Sequence, residues 1–292
     1  DGMSGFSDTW LALREPADSA ARARGSLERF LPAQAAGTPL RVLDLGAGSG
    51  ANFRFLAPRL GAGQRWLLID HDTALLAAVP ARLAAWGAEV GVQVSPAGAG
   101  WQVRGANFDA WLSTEQIDLS QQFGALRFDQ TDLVTGSALL DLVSADWLAQ
   151  LADACAGQRC AAMFALSYNG QIAWQPPLAL DAQVVAALNA HQRGVKSFGA
   201  ALGPSAVGAF VERFAAHGFR VEQADTPWVL DDGWQPLQQA LLQGWMDAAA
   251  EMDAALAADL PVWLRERLQL AARPGNGLRV GHTDLLALPP AL

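Results

Sequence analysis

The sequence is poor in the residues that mark secreted, nucleic-acid-binding and metal-binding proteins. Its two cysteines, Cys155 and Cys160, are too few for a disulfide framework, so a reduced cytoplasm is the simplest setting and burial in the core their simplest role. Lys196 is the only lysine among many arginines and alanines, which suggests a GC-rich genome of bacterial type. A net charge of -9 argues against a nucleic-acid partner, because phosphate binding needs clustered cations.

Histidines and long apolar runs are also scarce. The four histidines show no metal-ligand spacing and form no recognisable Ser-His-Asp set, so we predict no metal site; they are His71, His191, His217 and His282. No apolar run reaches the roughly 20 residues that a membrane-spanning helix needs. No basic segment followed by an apolar one opens the sequence. We therefore expect a cytoplasmic protein without a membrane partner.

What is present is a globular composition. Of the 292 residues, 51% are hydrophobic and 17% are charged, which is enough for a large core and excludes a disordered chain. Length alone allows one large α/β domain or two small ones. Because the sequence contains no internal repeat and no low-complexity linker, we predict a single domain over residues 1–292.

The most informative stretch is 41–53. An apolar run leads into three glycines in five positions, and a helical apolar pattern follows, which predicts a strand at 40–45, a tight turn and a helix at 51–60. A side chain at Gly46 or Gly48 would keep a flat ligand from the backbone. The unpaired N–H groups of the helix point at the same place. The stretch therefore predicts a ligand site, and a turn that only joins strand to helix is the alternative.

A second buried strand, predicted at 65–70, ends on Asp70. This residue lies about 20 positions after the glycine turn, where a carboxylate at a strand end can accept hydrogen bonds from both hydroxyls of a ribose. Asp72 or Thr73 is better placed to cap the helix that follows, which leaves Asp70 for ligand binding. The two strand ends together indicate a nucleoside-containing ligand.

The glycine turn resembles motif I of the class I S-adenosylmethionine-dependent methyltransferases, acidic-x-Gly-x-Gly-x-Gly, with Asp44 as the acid. It differs from the NAD fingerprint because Gly50 comes two positions after the second glycine and is followed by alanine. The resemblance implies that Asp44 approaches the amino-acid end of S-adenosylmethionine and that Asp70 binds its ribose. The other cofactor-binding residues it implies here are Gly46, Ala47, Gly48, Gly50, Asn52 and His71.

Two later segments resemble further parts of this family's pattern. Asp118 and Leu119, at the expected end of the third sheet strand (115–119), match an acid and an apolar residue that hold the adenine, although an ordinary turn aspartate is the alternative. Around residues 128–143 the sequence resembles motif IV, where the small Ser137 and Ala138 would leave room for the sulfonium and its methyl group. The Asn-Pro-Pro-Tyr signature is absent there, which argues against transfer to adenine N6 or a glutamine amide.

The resemblance implies a fold as well: an α/β, Rossmann-like three-layer sandwich around a seven-stranded, mostly parallel sheet whose last strand is antiparallel. Consistent patterns predict the fifth strand at 159–168 and the last at 278–288. An N-terminal helical cap is expected at 7–36, broken near Pro16, and a lid-like insertion at about 171–203. Pro80 predicts a kink or an early end in the helix that starts at Thr73.

Candidate substrate residues lie on these caps and strand ends: Arg14, Asp141, Tyr168 and His191. Tyr168 lies at the C-terminal end of a parallel strand, where ligands of open α/β sheets bind. The other three have ordinary alternatives: a surface arginine, a solvated loop carboxylate, and a histidine favoured by the dipole at a helix end. Several tryptophans outside the expected sheet line a substrate pocket or pack helices together; they are Trp10, Trp111, Trp174, Trp228, Trp234 and Trp245.

The function implied by the resemblance is methyl transfer from S-adenosylmethionine to a small organic acceptor. Such a transfer depends on alignment and can proceed without a dedicated base, so no catalytic residue is assigned. Two alternatives stay open at this point: a non-catalytic S-adenosylmethionine-binding regulatory or structural protein, and a NAD-dependent oxidoreductase.

Overall fold

The computed structural model describes residues 7–32, 37–61 and 63–291. The elements of the first half are α1 (Asp8–Arg22), β1 (Leu40–Leu45), α2 (Ala51–Leu56), β2 (Gln64–Asp70), α3 (Thr73–Val90), β3 (Gln93–Ala97), β4 (Gly100–Arg104), β5 (Asp109–Gln116), β6 (Leu133–Ser137) and α4 (Ala145–Gln158). Those of the second half are β7 (Ala161–Gln175), α5 (Asp181–Gln192), β8 (Val195–Lys196), β9 (Gly199–Ala200), α6 (Ala206–Ala216), β10 (Arg220–Asp225), β11 (Trp228–Leu230), α7 (Gln235–Met252), α8 (Leu260–Ala271) and β12 (Gly277–Leu288).

One sheet organises the chain, with strand order β10-β12-β7-β6-β1-β2-β5-β4-β3. Strands β5, β2, β1, β6 and β7 are parallel, and β12 runs antiparallel between β7 and β10. The predicted α/β, Rossmann-like sandwich with an antiparallel last strand is therefore confirmed. Since β1 and β6 are direct neighbours, the segments that follow them meet at one edge of the sheet.

Within the described residues, the sheet contains ten strands rather than the predicted seven. The seven expected strands are all present, and the hairpin β3–β4 extends the edge beside β5 while β11 pairs with the first half of β12. Sequence patterning did not reveal β3 because this edge strand is mostly exposed and contains Pro96, so it lacks a buried apolar face.

Helices cover both faces of the sheet and one end of it. Apolar residues of α4 and α6 pack on one face, and those of α2 and α3 pack on the other. A third apolar cluster joins α1, α5, α7 and α8 to β7, β11 and β12. This third cluster lies where the candidate site forms. Across the described part of the chain, none of the helices is both long and apolar enough to span a membrane.

Two helices continue past prolines: Pro16 was predicted to break its helix, and Pro80 to kink its helix or end it early. α1 runs unbroken past Pro16 and ends at Arg22, and α3 runs past Pro80 as far as Val90. Each proline removes one helical hydrogen bond. Other interactions of the same helices compensate for that loss. On α1, Glu15 forms an ion pair with Arg54, and on α3 the side chain of Val79 is fully buried. Of the predicted cap at 7–36, residues 33–36 lie outside the described residues, and 27–30 form a 3₁₀ turn.

Other boundaries shift because of pairing between strands. The third sheet strand is β5, which ends at Gln116 rather than near 119, and α2 gives way to a 3₁₀ turn at 57–59 where Pro58 lies. β7 extends seven residues beyond the predicted end at 168 because the long β12 pairs along it. The segment predicted as a lid, 171–203, thus contains the end of β7, then α5 and the hairpin β8–β9, and its action as a lid stays a prediction.

Candidate active site

The glycine turn after β1 is fixed to the end of β2. Gly46 and Gly48 have φ values of 64° and 54°, in the left-handed region that favours glycine. The N–H of Ala47 donates to the carbonyl of Ile69 at 2.9 Å, and the N–H of Gly48 donates to Oδ2 of Asp70 at 2.9 Å. The first two strands and the turn therefore form one rigid corner.

Asp44 lies under this corner and is completely buried. Nδ2 of Asn52 donates to Oδ1 of Asp44 at 2.7 Å and to Oγ1 of Thr135, on the neighbouring β6, at 3.2 Å. Among the described residues, Oδ2 of Asp44 and Oδ1 of Asn52 have no hydrogen-bond partner. Burial raises the pKa of Asp44 to about 7. Two buried acceptors thus lie together and lack a donor, which is costly unless a ligand supplies one.

Asp70 is also buried, and it holds the backbone around it. Its Oδ1 accepts from the N–H of Asp72 at 2.9 Å, while its Oδ2 accepts from Gly48. Asp72, one of the two caps that the sequence allowed, caps α3 by accepting from the N–H groups of Ala74 and Leu75. Each oxygen of Asp70 retains a second lone pair, so the carboxylate can still accept hydrogen bonds from a ligand.

The side chain of His71, a predicted cofactor residue, is 65% exposed at the same corner. Its Nδ1 lies 3.3 Å from Oδ1 of Asp70. The imidazole therefore stands at the outer rim of the corner, and its contact with a cofactor remains a prediction.

Helix α1 lies across the glycine turn. A side chain at Gly48 would have its Cβ atom 3.1 Å from Cδ1 of Leu11, so this leucine packs directly on the turn. Glu15 accepts two hydrogen bonds from Arg54 of α2, at 2.8 and 2.7 Å, and Asp8 accepts two from Arg82 of α3, at 3.1 and 2.5 Å. A ligand that lies against the turn therefore requires movement of Leu11 or of α1.

Asp118 and Leu119, which were predicted to bind adenine, lie in the loop after β5. Oδ1 of Asp118 accepts from the N–H and the hydroxyl of Ser120, at 2.9 and 2.6 Å, and the hydroxyl contact lowers the pKa of this carboxyl. Leu119 is buried in the core, and its carbonyl accepts from Nε1 of Trp147 at 2.9 Å. These contacts account for both residues structurally, so their contact with an adenine remains a prediction.

Next to the corner, a cavity of about 190 Å³ opens at the ends of β6 and β7. Ala138 and Leu166 line it, and both have positive φ values, 53° and 55°, that are unusual for residues other than glycine. The N–H of Leu166 donates to Oδ1 of Asp284 at 2.8 Å, and the Thr226 hydroxyl donates to the same oxygen at 2.8 Å. Backbone held in a rare conformation beside a cavity is typical of functional sites.

Three of the four predicted substrate residues line this cavity: Arg14, Asp141 and Tyr168. The fourth, His191, is not one of its lining residues, and its Nε2 lies 3.3 Å from Oε2 of Glu251. Its neighbour Gln192 lines the cavity instead. His191 lies in the last turn of α5. This position agrees with the alternative interpretation, a histidine favoured by the dipole at the end of a helix.

The polar groups of the cavity differ in how well they are paired. Nε and Nη2 of Arg14 donate to the two oxygens of Asp18, at 2.9 and 3.1 Å. The hydroxyl of Tyr168 donates to Oδ1 of Asn189 at 2.8 Å, and burial raises the pKa of this phenol. Oδ1 of Asp141 is buried without a partner in the described residues, and burial raises the pKa of its carboxyl to about 6.

Sequence reasoning missed His282, which β12 places in the cavity wall. It is 6% exposed, and its Nδ1 has no hydrogen-bond partner in the part of the chain that the structure describes. Burial lowers the pKa of His282 to about 3, so the imidazole is neutral. The sequence around His282 offered no signal, because the same strand also contains Arg279, Thr283 and Asp284. Of the tryptophans considered from the sequence, Trp10, Trp228 and Trp245 line the cavity.

Comparisons with known proteins place this geometry in a fold. No protein-family model matches the chain, and no curated protein is significantly similar to it. The crystal structure of a cyclopropane-fatty-acyl-phospholipid synthase-like protein from Lactobacillus casei matches with a TM-score of 0.54 at 15% identity, over 98% of this chain and 95% of that one.

Two further solved structures are more distant. Phosphoethanolamine N-methyltransferase 2 of Haemonchus contortus, in complex with S-adenosyl-L-methionine, has a TM-score of 0.47 at 15% identity, over 99% of this chain and 59% of that one. A S-adenosylmethionine-dependent methyltransferase of Geobacter sulfurreducens, with S-adenosyl-L-homocysteine, has a TM-score of 0.42 at 17% identity, over 98% and 92%. Similarity at identities this low is evidence about the fold alone. From the strand order and the Lactobacillus casei match together, the chain has the fold of the class I S-adenosylmethionine-dependent methyltransferases.

Proposed function

We propose that this chain transfers the methyl group of S-adenosylmethionine to a small organic acceptor. The observation that carries the proposal is the position of the glycine corner beside the cavity. Leu45, the last residue of β1, pairs with Gly136 of β6, so the corner and Ala138 emerge side by side at one sheet edge. A cofactor on the corner would therefore present its reactive end to the cavity.

The residues of the corner fit this cofactor. Oδ2 of Asp44 and Oδ1 of Asn52 are buried acceptors that lack donors among the described residues, which suits the ammonium of the methionine end. Asp70, at the end of β2, has lone pairs for the ribose hydroxyls. When bound, the cofactor supplies a methyl group activated by its sulfonium.

The chain's own contribution is alignment and exclusion of water. The small Ser137 and Ala138 leave room between the corner and the cavity. Helix α1 contributes Leu11 to the cover over the corner and Trp10 and Arg14 to the cavity wall. Closing one helix would therefore enclose both reactants, and orientation of this kind can lower a barrier by several kcal/mol.

Calorimetric titration tests the cofactor. S-adenosylmethionine and S-adenosylhomocysteine should bind the full chain, and NAD should not. Asp70→Asn should weaken binding by about tenfold, which corresponds to roughly 1.4 kcal/mol, because the amide offers one acceptor oxygen instead of two. Asp153→Asn, at a position whose side chain is 71% exposed on α4, is the matched control and should bind like the wild type. Binding of NAD without S-adenosylmethionine would point to an oxidoreductase.

A radiolabel assay then tests transfer. Label from the methyl group of S-adenosylmethionine should appear in at least one acceptor of a panel of small amines, phenols and carboxylic acids. Cofactor binding with no transfer to any of them would favour a non-catalytic binding protein.

A further inference from the structure

The cavity beside Ala138 contains a carboxylate, Asp141, that its surroundings compensate only in part. Burial raises its pKa to about 6, although backbone hydrogen bonds and the charge of Arg14 act in the opposite direction. Arg14 is the cation of the wall, and its guanidinium is engaged by both oxygens of Asp18. His282 is neutral near pH 7, because burial, reinforced by the charge of Arg14, lowers its pKa to about 3. With Arg14 and Asp18 cancelling, the ionised Asp141 leaves this wall with a net charge of -1. Its Oδ1 has no partner within the described ranges.

The remaining titratable groups nearby do not cancel this charge. Tyr168 stays protonated, since burial and the charge of Asp141 both raise its pKa. Nη1 of Arg193, behind that tyrosine, donates to the carbonyl of Asn189 at 3.2 Å. A buried carboxylate that has one oxygen without a hydrogen-bond partner and a pKa raised by burial is unfavourable when ionised, so a cationic ligand would be stabilised there.

Three indole rings are part of the same cavity lining. Trp10, Trp228 and Trp245 reach the cavity from α1, β11 and α7. Aromatic faces attract cations, and one of these rings already does so, since the guanidinium carbon of Arg14 lies 5.0 Å from the centroid of Trp228. A carboxylate together with indole faces is suited to an organic ammonium. An alcohol could donate a hydrogen bond to Asp141 but would supply no opposite charge, and an anionic ligand would be repelled by the carboxylate.

The size of the cavity limits the rest of the ligand. An apolar cavity of roughly 150 Å³ accommodates benzene, so about 190 Å³ fits one ring with a short side chain. Leu188 and Leu241 supply apolar contacts for such a ring.

We propose that the acceptor is a small amine whose ammonium pairs with Asp141 and whose apolar part packs between the indoles. That this amine accepts the methyl group rests on the proposed function, whereas the binding of the amine in the cavity does not. An ammonium has no lone pair, so it first gives one proton to the Asp141 carboxylate, which passes it to solvent. The nitrogen lone pair then forms the bond to the methyl carbon. The carbon–sulfur bond breaks with its electron pair left on sulfur, and the product is the methylated ammonium.

Binding of three probes to the full chain tests this assignment. 2-Phenylethylamine, 2-phenylethanol and phenylacetate share a ring and a short chain and differ in charge. At pH 8, measured by calorimetry, the amine should bind at least tenfold tighter than the alcohol, and phenylacetate should bind most weakly. Asp141→Asn should reduce the preference for the amine to less than threefold and leave the alcohol unchanged. Asp153→Asn, which removes the same charge from an exposed position, should leave all three affinities unchanged.

A second variant, Trp245→Leu, tests the proposal independently in case Asp141→Asn does not fold. Trp245→Leu should weaken the amine more than the alcohol, because only the amine loses an attraction between cation and ring. An amine that binds no tighter than the alcohol, or that does not bind at millimolar concentration, overturns the proposal, as does a preference that survives Asp141→Asn. Titration with S-adenosylmethionine is the separate arm. Its failure to bind wild-type protein would overturn the proposed function while the probe affinities still decide the nature of the cavity.

Discussion

Replacing Asp44 by asparagine should change how the stability of the protein depends on pH. Asp44 is completely buried, and burial raises its pKa from 3.8 to about 7. A carboxyl group with a raised pKa in the folded state favours folding while it is protonated in both states. Its contribution is fully present below pH 3.8 and is lost as pH rises through about 7. The asparagine variant has no such group and should not show this loss.

The size of the effect follows from the two pKa values. A difference of about 3 between the folded and unfolded values corresponds to about 4 kcal/mol at 1.36 kcal/mol for each pKa unit. Most of this is lost above pH 5, because only the unfolded chain is then substantially ionised. Between pH 5 and pH 8 the stability of Asp44→Asn relative to wild type should therefore rise by roughly 2 to 3 kcal/mol.

Urea unfolding of both proteins at pH 5 and pH 8 measures this change. Other buried carboxyls with raised pKa values, Asp141 and Asp284, are common to both proteins, so their effects cancel in the difference. Asp153→Asn is the control: it also removes one carboxyl group, but from an exposed position. A stability difference between Asp44→Asn and wild type that stays constant over this range, or that moves the other way, would refute the reasoning and mean that Asp44 is ionised in the folded protein.

Three further substitutions test the corner and the cavity. Gly48→Ala should cost about 1 kcal/mol of unfolding free energy, because of its left-handed φ, and should weaken S-adenosylmethionine at least tenfold by calorimetry. Glu15→Gln should cost about 2 kcal/mol in urea unfolding, since the nearly buried Arg54 loses its ion pair; the exposed Glu251→Gln should cost almost nothing. Asp284→Ala should cost about 2 kcal/mol, because Leu166 loses its hydrogen-bond acceptor, and equal stability would contradict that role.

The glycine corner was predictable because its signals are local. The glycines, the apolar run before them and the acid at the end of the next strand lie within about 30 residues, and each has a direct steric or hydrogen-bonding meaning. The exact use of Asp70 was not predictable. Its contact with the N–H of Gly48 depends on how two strands align, which no single segment of sequence specifies.

The cavity was less predictable because its wall comes from distant parts of the chain. Trp10, Asp141, Trp228 and His282 converge only after the last strand pairs with β7 and α1 folds across the sheet edge. His282 follows the ordinary alternation of a strand and carries no mark of its own. The irregular register of β12 beside β7, with shifts on both sides of His282, decides which way it faces, and such bulges are set by tertiary pairing.

Helix α1 connects the two halves of the site through one buried cation. Arg22, at the end of α1, is 4% exposed, and its Nε lacks a hydrogen-bond partner among the described residues. Its charge lowers the pKa of both Asp44, under the corner, and Asp284, which holds Leu166 in the cavity wall. Desolvation lowers the pKa of Arg22 itself, and the charges of nearby acids, first among them Asp284 and Asp18, oppose that shift. Displacement of α1 would therefore alter the electrostatics of the corner and of the cavity together.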